Sequence, residues 1–246
     1  MKIGSKIIHL ESVDSTNNYA ANLVHQANCI NGTVILADDQ YLGKGQRGSE
    51  WLTSKGDNLT SSIIIYPDKL AVDDQFYLTC MAALSVVDTL KGYGIQANIK
   101  WPNDIYVNQE KIGGILIENV IQGNLIKTAI IGIGLNVNSF PKAFNAICMQ
   151  ELISKPLKPF DVLMRLINCL NVWGAELNFG NLNVLLSAYN ELILMKNQIV
   201  AFEDEKGFFN AKVLGVSING FLELALENEM RSYGIKQVTW RLESNF

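Results

Sequence analysis

Two strongly apolar segments joined by a short polar turn constrain the fold of this chain most. Residues 111–120 and 126–137 are rich in Ile, Leu and Val, and a Gln-Gly-Asn turn at 122–124 separates them. This pattern predicts two neighbouring strands. Glycine weakens a strand interior and often marks a ligand lying against the backbone. Each strand contains two glycines, so we expect a shared binding wall at Gly113, Gly114, Gly132 and Gly134.

The rest of the chain predicts a main domain of strands and helices followed by a small β unit. Further strands are predicted at residues 3–10, 33–37, 59–66 and 98–106, and helices at 14–25, 73–90, 159–177 and 182–195. Only short strands follow, at 199–203, 208–216, 221–226 and 237–242, with a hairpin signal at Asn219-Gly220. We therefore divide the chain into domains at 1–195 and 196–246. So small a β unit is marginal alone, and we expect it to pack on the main domain as a barrel.

Composition excludes several classes of protein. The net charge of −4 comes without any cluster of Lys and Arg, which argues against nucleic-acid binding. No apolar run is long enough to span a bilayer, so no membrane association is expected. The four cysteines are scattered without a C-x-x-C pair, which favours reduced thiols and a cytoplasmic location.

A glycine-rich, basic stretch, GKGQRG at residues 43–48, follows the predicted strand at 33–37. Its spacing fits G-x-G-x-x-G, but residues 49–58 have no apolar face and predict no helix. The dinucleotide-binding mechanism needs that helix, so we reject this interpretation. No Gly-Lys-Ser/Thr follows either, which excludes a Walker loop. Free backbone N–H groups together with Lys44 and Arg47 suit a phosphate or a carboxylate; the alternative is a flexible surface turn.

Four polar clusters interrupt the predicted elements, at residues 15–17, 40–51, 100–104 and 111–114. They supply the cations Lys44, Arg47, Lys100 and Lys111, together with Asn103 and Asp104. Such a set suits a reaction that builds negative charge at phosphorus, with Asp104 as the candidate Mg²⁺ ligand. Neither histidine lies beside a nucleophile, and no Cys/His spacing predicts zinc. Any one of these cations alone would be expected to be a solvated surface residue. The prediction depends on their grouping with the glycines and with the Trp-Pro-Asn-Asp segment.

These clusters resemble the motifs of biotin protein ligases, in the same order and with similar spacing. The matching segments are STN at 15–17, GKGQRGSEW at 43–51, KWPND at 100–104, KIGGILIE at 111–118 and GIGLN at 132–136. The resemblance implies an α+β fold: a mixed sheet with helices, related to class II aminoacyl-tRNA synthetases, and a C-terminal SH3-like β-barrel. It also implies that ATP and biotin form biotinyl-5′-AMP, with Mg²⁺. Biotin then passes to a lysine of a biotin carboxyl carrier domain, of acetyl-CoA carboxylase or a similar enzyme.

The resemblance also implies residue roles. Biotin would contact Ser15, Thr16, Asn17, Gln40, Gly43, Lys44, Gly114, Gly132 and Gly134. The nucleotide would contact Arg47, Trp51, Lys100, Asn103, Asp104, Lys111 and Asn136. Catalysis would rest on Lys111, Arg47 and Lys44, and Asp104 would hold the metal. The loop at 43–48 would close over the adenylate.

Some features depart from the family or leave alternatives open. Lys44, Gln46 and Ser49 occupy positions where the family loop usually carries arginine. The chain begins at the catalytic segment, so we expect a form without the DNA-binding extension of some relatives and without a repressor function. A homodimer is compatible with the family. The alternatives are a lipoate or octanoate ligase or transferase of the same fold, and a non-catalytic protein that binds biotin or a carrier domain.

Overall fold

A seven-stranded mixed sheet forms the centre of the molecule. The computed structural model describes residues 2–26, 29–141 and 145–242, with the Arg47 side chain outside this description. The strands lie in the order β1-β2-β3-β7-β6-β5-β4; β1 and β2 are parallel and every other pair is antiparallel. Their bounds are β1 (Lys6–Leu10), β2 (Thr33–Ala37), β3 (Leu59–Ile65), β4 (Asn98–Lys100), β5 (Asp104–Val107), β6 (Glu110–Gln122) and β7 (Leu125–Leu135).

Helices cover both faces of this sheet. They are α1 (Thr16–His25), α2 (Phe76–Lys91), α3 (Met149–Ile153), α4 (Pro159–Asn178) and α5 (Leu182–Glu191). On one face, α1 packs Ala20 against Ile35, Ile64 and Ile130. The other helices share the larger core, and α2 is buried on nearly every side. Its Ser85 and Thr89 are tolerated there because each hydroxyl donates to the carbonyl four residues earlier, at 2.7 Å.

A second, antiparallel sheet follows. It contains β8 (Ile199–Asp204), β9 (Gly207–Val216), β10 (Leu222–Ala225), β11 (Met230–Tyr233) and β12 (Thr239–Arg241), in the order β11-β10-β9-β8-β12. The predicted small C-terminal β unit is confirmed as a separate antiparallel sheet, but it is not a closed barrel, because β11 and β12 remain separate edges within the described residues. The sheet packs on the main one through Trp101, whose Nε1 donates to the Gly220 carbonyl at 3.0 Å. Asn190 also exchanges hydrogen bonds of 2.7 and 2.9 Å with the Val216 backbone.

Three elements differ from the sequence-based expectation. The helix predicted to reach Met195 ends at Glu191, because the following residues pair with β4 instead: Ile99 exchanges backbone hydrogen bonds of 2.8 Å with Leu192 and Leu194. Strand β11 and helix α3, of four and five residues, were not predicted because elements this short carry little periodicity.

No helix within the described residues is long and apolar enough to cross a membrane.

The register of the large sheet places its polar and glycine positions in line. Thr60, Gly134, Gly114 and Asp104 lie directly opposite one another across β3, β7, β6 and β5. The neighbouring row contains Ser62, Gly132 and Leu116. Pairing of β6 with β5 stops at Gly114, so residues 116–122 of β6 have no neighbour strand on that side among the described strands.

Candidate active site

A cavity of about 490 Å³ lies on the face of the large sheet that carries these rows. Gly114, Gly132 and Gly134 form its floor, and the loop before β12 and β12 itself contribute Ile235, Lys236, Val238, Thr239 and Trp240 to its wall. A side chain would not fit on this floor everywhere, since a Cβ on Gly132 would lie 2.6 Å from Asn17 Oδ1. The shared wall is thus made by three of the four expected glycines. Gly113 instead faces away, with its Cβ position 3.0 Å from the Gly134 carbonyl.

Buried hydrogen-bonding groups form one end of the cavity. Gln40 Oε1 accepts from the backbone N–H and the hydroxyl of Thr16, at 2.9 and 3.1 Å. The Ser62 hydroxyl lies 2.7 Å from Thr16 Oγ1 and 2.6 Å from Asn17 Oδ1, and Asn17 Nδ2 donates to Glu118 at 2.6 Å. Because the neighbours fix the orientation of each amide, this end presents a preorganised set of donors and acceptors.

The start of α1 delivers this set to the cavity. Ser15 stands at the N-cap position in an extended conformation and is buried, yet its side chain makes no capping hydrogen bond. The Ser15 hydroxyl is therefore not used to cap the helix, as a serine at this position commonly is. Ser15, Thr16 and Asn17 all line the cavity instead.

An ion pair lies above the middle of the floor. The Lys111 ammonium is 2.6 Å from Asp104 Oδ1, and both side chains remain about one-third to one-quarter exposed, at 32% and 27%. A Cβ added to Gly114 would lie 3.5 Å from each of these two charged atoms. Lys111 Nζ also lies 5.7 Å from the Trp51 ring centre. The positive charge is therefore directed at the space above Gly114.

A second lysine continues the line of charge at β4. Lys100 Nζ lies 3.3 Å from the Tyr106 hydroxyl and 5.0 Å from the centre of its ring. Burial lowers the pKa of Lys100, and nearby Lys111 lowers it further, while Asp104 opposes the shift. Burial, with a smaller effect of Asp104, raises the pKa of Tyr106 to about 12. Tyr106 is therefore a neutral hydrogen-bond partner for Lys100 at neutral pH.

The glycine-rich loop folds back on itself at the cavity mouth. The Gly45 N–H donates to the Ser49 carbonyl at 2.7 Å, and the Trp51 N–H donates to the Gly43 carbonyl at 2.9 Å. This brings the Trp51 ring over Gly134. Lys44 donates to Asn18 Oδ1 at 2.5 Å. The predicted role of Arg47 concerns a side chain outside the described residues.

Most of the sequence-predicted site residues line this one cavity. They are Ser15, Thr16, Asn17, Gln40, Lys44, Trp51, Lys100, Asn103, Asp104, Lys111, Gly114, Gly132 and Gly134. Gly43 and Asn136 lie behind the wall. Asn136 Nδ2 donates to the Ile147 carbonyl at 3.1 Å, while its Oδ1 is buried and has no partner among the described residues.

Several residues of the site escaped the sequence reasoning. Ser62 and Tyr106 lie inside apolar strands, and Glu118 ended a motif without a role of its own. The polar pair Ser61-Ser62 within β3 was the available signal, since a buried hydroxyl needs a partner. Residues 235–240 carried no signal, because only the docking of the second sheet brings them to the cavity.

Asp104 could contribute one carboxylate to a metal. No group of three or more His, Cys, Asp or Glu side chains that could hold a metal occurs among the described residues. Mg²⁺ is commonly held by one or two carboxylates together with substrate phosphates and water. The single carboxylate of Asp104, still partly exposed, fits a metal that arrives with a phosphate ligand.

Comparison with known proteins gives consistent relatives. A model of the biotin/lipoate A/B protein ligase family matches residues 9–136. The chain is 36% identical over 243 residues to the bifunctional ligase/repressor BirA of Bacillus subtilis, covering 96% of this chain and 73% of that protein. It is 35% identical over 138 residues to the biotin–[acetyl-CoA-carboxylase] ligase of Paracoccus denitrificans, covering 54% and 55% of the two chains.

Solved structures share the fold. The biotin protein ligase from Aquifex aeolicus in complex with biotin and ATP superposes with a TM-score of 0.81 at 24% identity. The match covers 97% of this chain and 100% of that chain. The mixed sheet with helices and the C-terminal sheet thus form one known architecture.

Proposed function

We propose that this chain, which belongs to the biotin/lipoate A/B protein ligase family, is a biotin–protein ligase. It activates biotin with ATP and transfers the biotinyl group to a lysine of a carboxyl carrier protein. The observation that carries this function is the ion pair of Lys111 and Asp104, 2.6 Å apart, above the Gly114 floor. In the same cavity lies a preorganised end suited to a small polar ring system.

In the first step, a carboxylate oxygen of biotin attacks the α-phosphorus of ATP. The bond from that phosphorus to the bridging oxygen breaks, and pyrophosphate leaves with the bonding electrons. The product is the mixed anhydride biotinyl-5′-AMP. Lys111 is placed to attract both the carboxylate and the α-phosphate, which brings two anions together and stabilises the charge that develops between them.

In the second step, the neutral ε-amine of the carrier lysine attacks the acyl carbon. The bond from this carbon to the phosphate oxygen breaks, AMP leaves, and the amine loses a proton to solvent. The anhydride hydrolyses if water reaches it first. Trp51 and the loop at 43–48 cover the floor on one side, and we assign them the exclusion of water.

The remaining roles divide along the cavity. Ser15, Thr16, Asn17 and Gln40 bind the bicyclic ring of biotin, with Gly43 and Lys44 beside them and the backbone of Gly114, Gly132 and Gly134 beneath. Lys100, Asn103 and Arg47 bind the phosphates, and Trp51 contacts the adenylate, while Asn136 supports this nucleotide site from behind the wall. Arg47 and Lys44 assist Lys111 in stabilising charge. Asp104 is the residue that would hold Mg²⁺, which supplies positive charge to the phosphates when bound.

We further propose the partners and the organisation of the chain. The name of the Paracoccus relative points to the carrier domain of an acetyl-CoA carboxylase as the acceptor. Residues 1–195 form the catalytic domain and 196–246 the C-terminal domain, in the cytoplasm. The free edge of β6, with exposed Val120 and Ile121, suits a homodimer formed by strand pairing.

One assay tests the proposed function directly. Pyrophosphate exchange into ATP is measured with biotin, with lipoate and without an acid. We expect exchange with biotin only, because it reports reversible formation of the adenylate. Exchange with lipoate alone would assign the chain to the lipoate branch of the family. Biotin binding without any exchange would support the non-catalytic alternative.

Ser62 offers a test of the biotin-binding end. Ser62→Ala is expected to lower the free energy of unfolding by about 1–3 kcal/mol, because Thr16 and Asn17 lose a buried hydrogen-bonding partner. The KM for biotin should rise about tenfold, while the KM for ATP stays near its original value. Ser61→Ala is the matched control, since the Ser61 hydroxyl makes only a 3.5 Å contact with the Ile133 carbonyl. Equal effects of the two changes on the biotin KM would contradict the assignment.

Lys100 is expected to serve binding at the expense of stability. Its pKa is lower in the folded than in the unfolded protein, so the unfolded chain binds more protons between the folded-state pKa and 10.5. Stability should therefore rise with pH across that interval, and Lys100→Met should weaken this rise. At neutral pH the Met variant should unfold at an equal or higher denaturant concentration. Its KM for ATP should rise about tenfold.

The Lys100 test uses denaturant titrations at neutral and alkaline pH together with pyrophosphate exchange. Lys127→Met is the control, since Lys127 is an exposed lysine of the same sheet. A Met variant at position 100 that is less stable at neutral pH, yet binds ATP normally, would show that Lys100 is structural.

A further inference from the structure

The second sheet brings one more lysine to the active-site cavity. Lys236 lines it together with Lys44, Lys100 and Lys111. The other three each have a partner within reach: Asn18 for Lys44, Tyr106 for Lys100 and Asp104 for Lys111. Lys236 has no hydrogen bond, ion pair or ring contact with any residue that the structure describes. Among the four lysines that line the described cavity, its ammonium is therefore the uncommitted positive charge.

The backbone of Lys236 is held in a conformation that lysine rarely adopts. Its φ is +77°, in the left-handed region where glycine has less steric strain than lysine. The turn is fixed on both sides: Gln237 Oε1 accepts from the Gly234 N–H at 2.6 Å, and Val238 and Trp240 are buried. Strain of this kind is retained at functional sites when the surroundings enforce it. A side chain kept here, where glycine would be easier, points to a use for that side chain.

The position of Lys236 identifies the part of the substrate it can reach. The Trp101–Gly220 hydrogen bond joins the second sheet to the main one directly after β4. Thr16 and Ser62 lie at the other end of the cavity, over β3, four strands away from β4 in the sheet order. Strands lie about 4.8 Å apart, so the two ends are separated by about 19 Å. Ile235, the residue before Lys236, borders a small cavity together with Asn103 and Gly220. The segment that carries Lys236 therefore lies beside the turn that follows Lys100.

Acidic residues offer Lys236 an alternative partner. It also borders a neighbouring cavity that contains Glu203, Asp204 and Glu205. Two of these are already engaged, Asp204 by the Tyr233 hydroxyl at 2.9 Å and Glu203 by Arg241. The third, Glu205, is exposed and makes no ion pair with Lys236, so the ammonium stays available to an anion that enters the active-site cavity.

We propose that Lys236 binds the β- and γ-phosphates of ATP, and so the pyrophosphate that leaves, from the C-terminal sheet. This inference rests on the proposed ligase function and assigns the second sheet a part in the first half-reaction. A flexible lysine acts here as a point charge, which suits a leaving group that must depart afterwards. The transfer step involves no pyrophosphate and does not need Lys236.

The test compares Lys236→Gln, Lys236→Gly and Lys236→Arg in the full-length protein. In biotin-dependent pyrophosphate exchange, we expect the Gln and Gly variants to raise the KM for ATP about fivefold to tenfold. The KM for biotin should stay within about twofold of the original value, and Arg should restore most of the affinity for ATP. Transfer of biotin from preformed biotinyl-5′-AMP to a carrier domain should be unchanged.

Lys236→Gly separates an effect on binding from an effect on folding, because glycine removes the strain of the left-handed backbone conformation. This variant should be at least as stable as the original protein while binding ATP more weakly. Lys212→Gln, an exposed lysine of β9 outside the cavity, is the matched control. An unchanged KM for ATP in the Gln and Gly variants would overturn the inference and leave the ligase function intact. If the original protein showed no biotin-dependent exchange, the proposed function itself would fail.

Discussion

Lys111→Ala is expected to reduce biotin-dependent pyrophosphate exchange by about 10²–10³-fold, the range found when one preorganised electrostatic group is removed from an active site. The ammonium is the charge closest to Asp104 and lies over the floor where carboxylate and phosphate must meet. Without this ammonium, the repulsion between the biotin carboxylate and the α-phosphate is less well compensated. The loss should appear mainly in kcat, since the interaction strengthens in the transition state.

Folding should hardly change in this variant. The backbone of Lys111 keeps its hydrogen bonds to Asn145 and Ile147, at 3.1 and 3.0 Å. Asp104 stays partly exposed, so losing its partner should alter the free energy of unfolding by about 1 kcal/mol or less. Lys127→Ala, on the neighbouring strand and outside the cavity, controls for removal of a surface lysine.

The same variant separates an enzyme from a binding protein. A ligase loses exchange but keeps most of its stability, and Lys111→Arg should retain an intermediate rate because the charge is kept while its shape changes. A protein that only sequesters biotin would bind it equally well with Ala at position 111. Exchange at the original rate in Lys111→Ala would remove the central electrostatic role from this residue.

Gly134→Ala should be the second most damaging change. An added Cβ would lie 2.7 Å from Trp51 Cζ2 and from its Nε1, closer than carbon atoms in proteins approach. Since the floor is backbone, the indole must move. Overpacking should cost about 1–3 kcal/mol of stability, and a displacement of about 1 Å should lower kcat/KM for biotin about 100-fold.

A double-mutant cycle makes this prediction specific. In the Trp51→Ala background the collision is absent, so Gly134→Ala should then cost little further stability. Gly114→Ala is the matched single change, because its Cβ would meet neighbours only at 3.5 Å and should leave stability nearly unaltered. Equal stability losses at Gly134 and Gly114, or a loss at Gly134 that persists without the indole, would refute the mechanism.

Sequence reasoning anticipated the large sheet well for a physical reason. Strand β2 is buried along its whole length and β6 and β7 are long, with glycines in β6 and β7 where a side chain would be obstructive. Periodicity is strongest in such segments. It is weakest in the second sheet, where β11 is not predicted and the expected barrel is an antiparallel sheet that does not close. There β10, β11 and β12 have four residues or fewer, and turn signals do not specify which edges pair.

The sequence by itself determined the polar clusters, the glycine floor and the family resemblance. These depend only on which residue types occur in short motifs. Tertiary structure alone decided the contacts between distant segments: the register that aligns Gly134 with Gly114 and Asp104, the insertion of Ser62 between Thr16 and Asn17, and the arrival of Lys236 from the second sheet. Strand register and the docking of the two sheets depend on how whole surfaces pack against each other, so no single segment of the sequence encodes them.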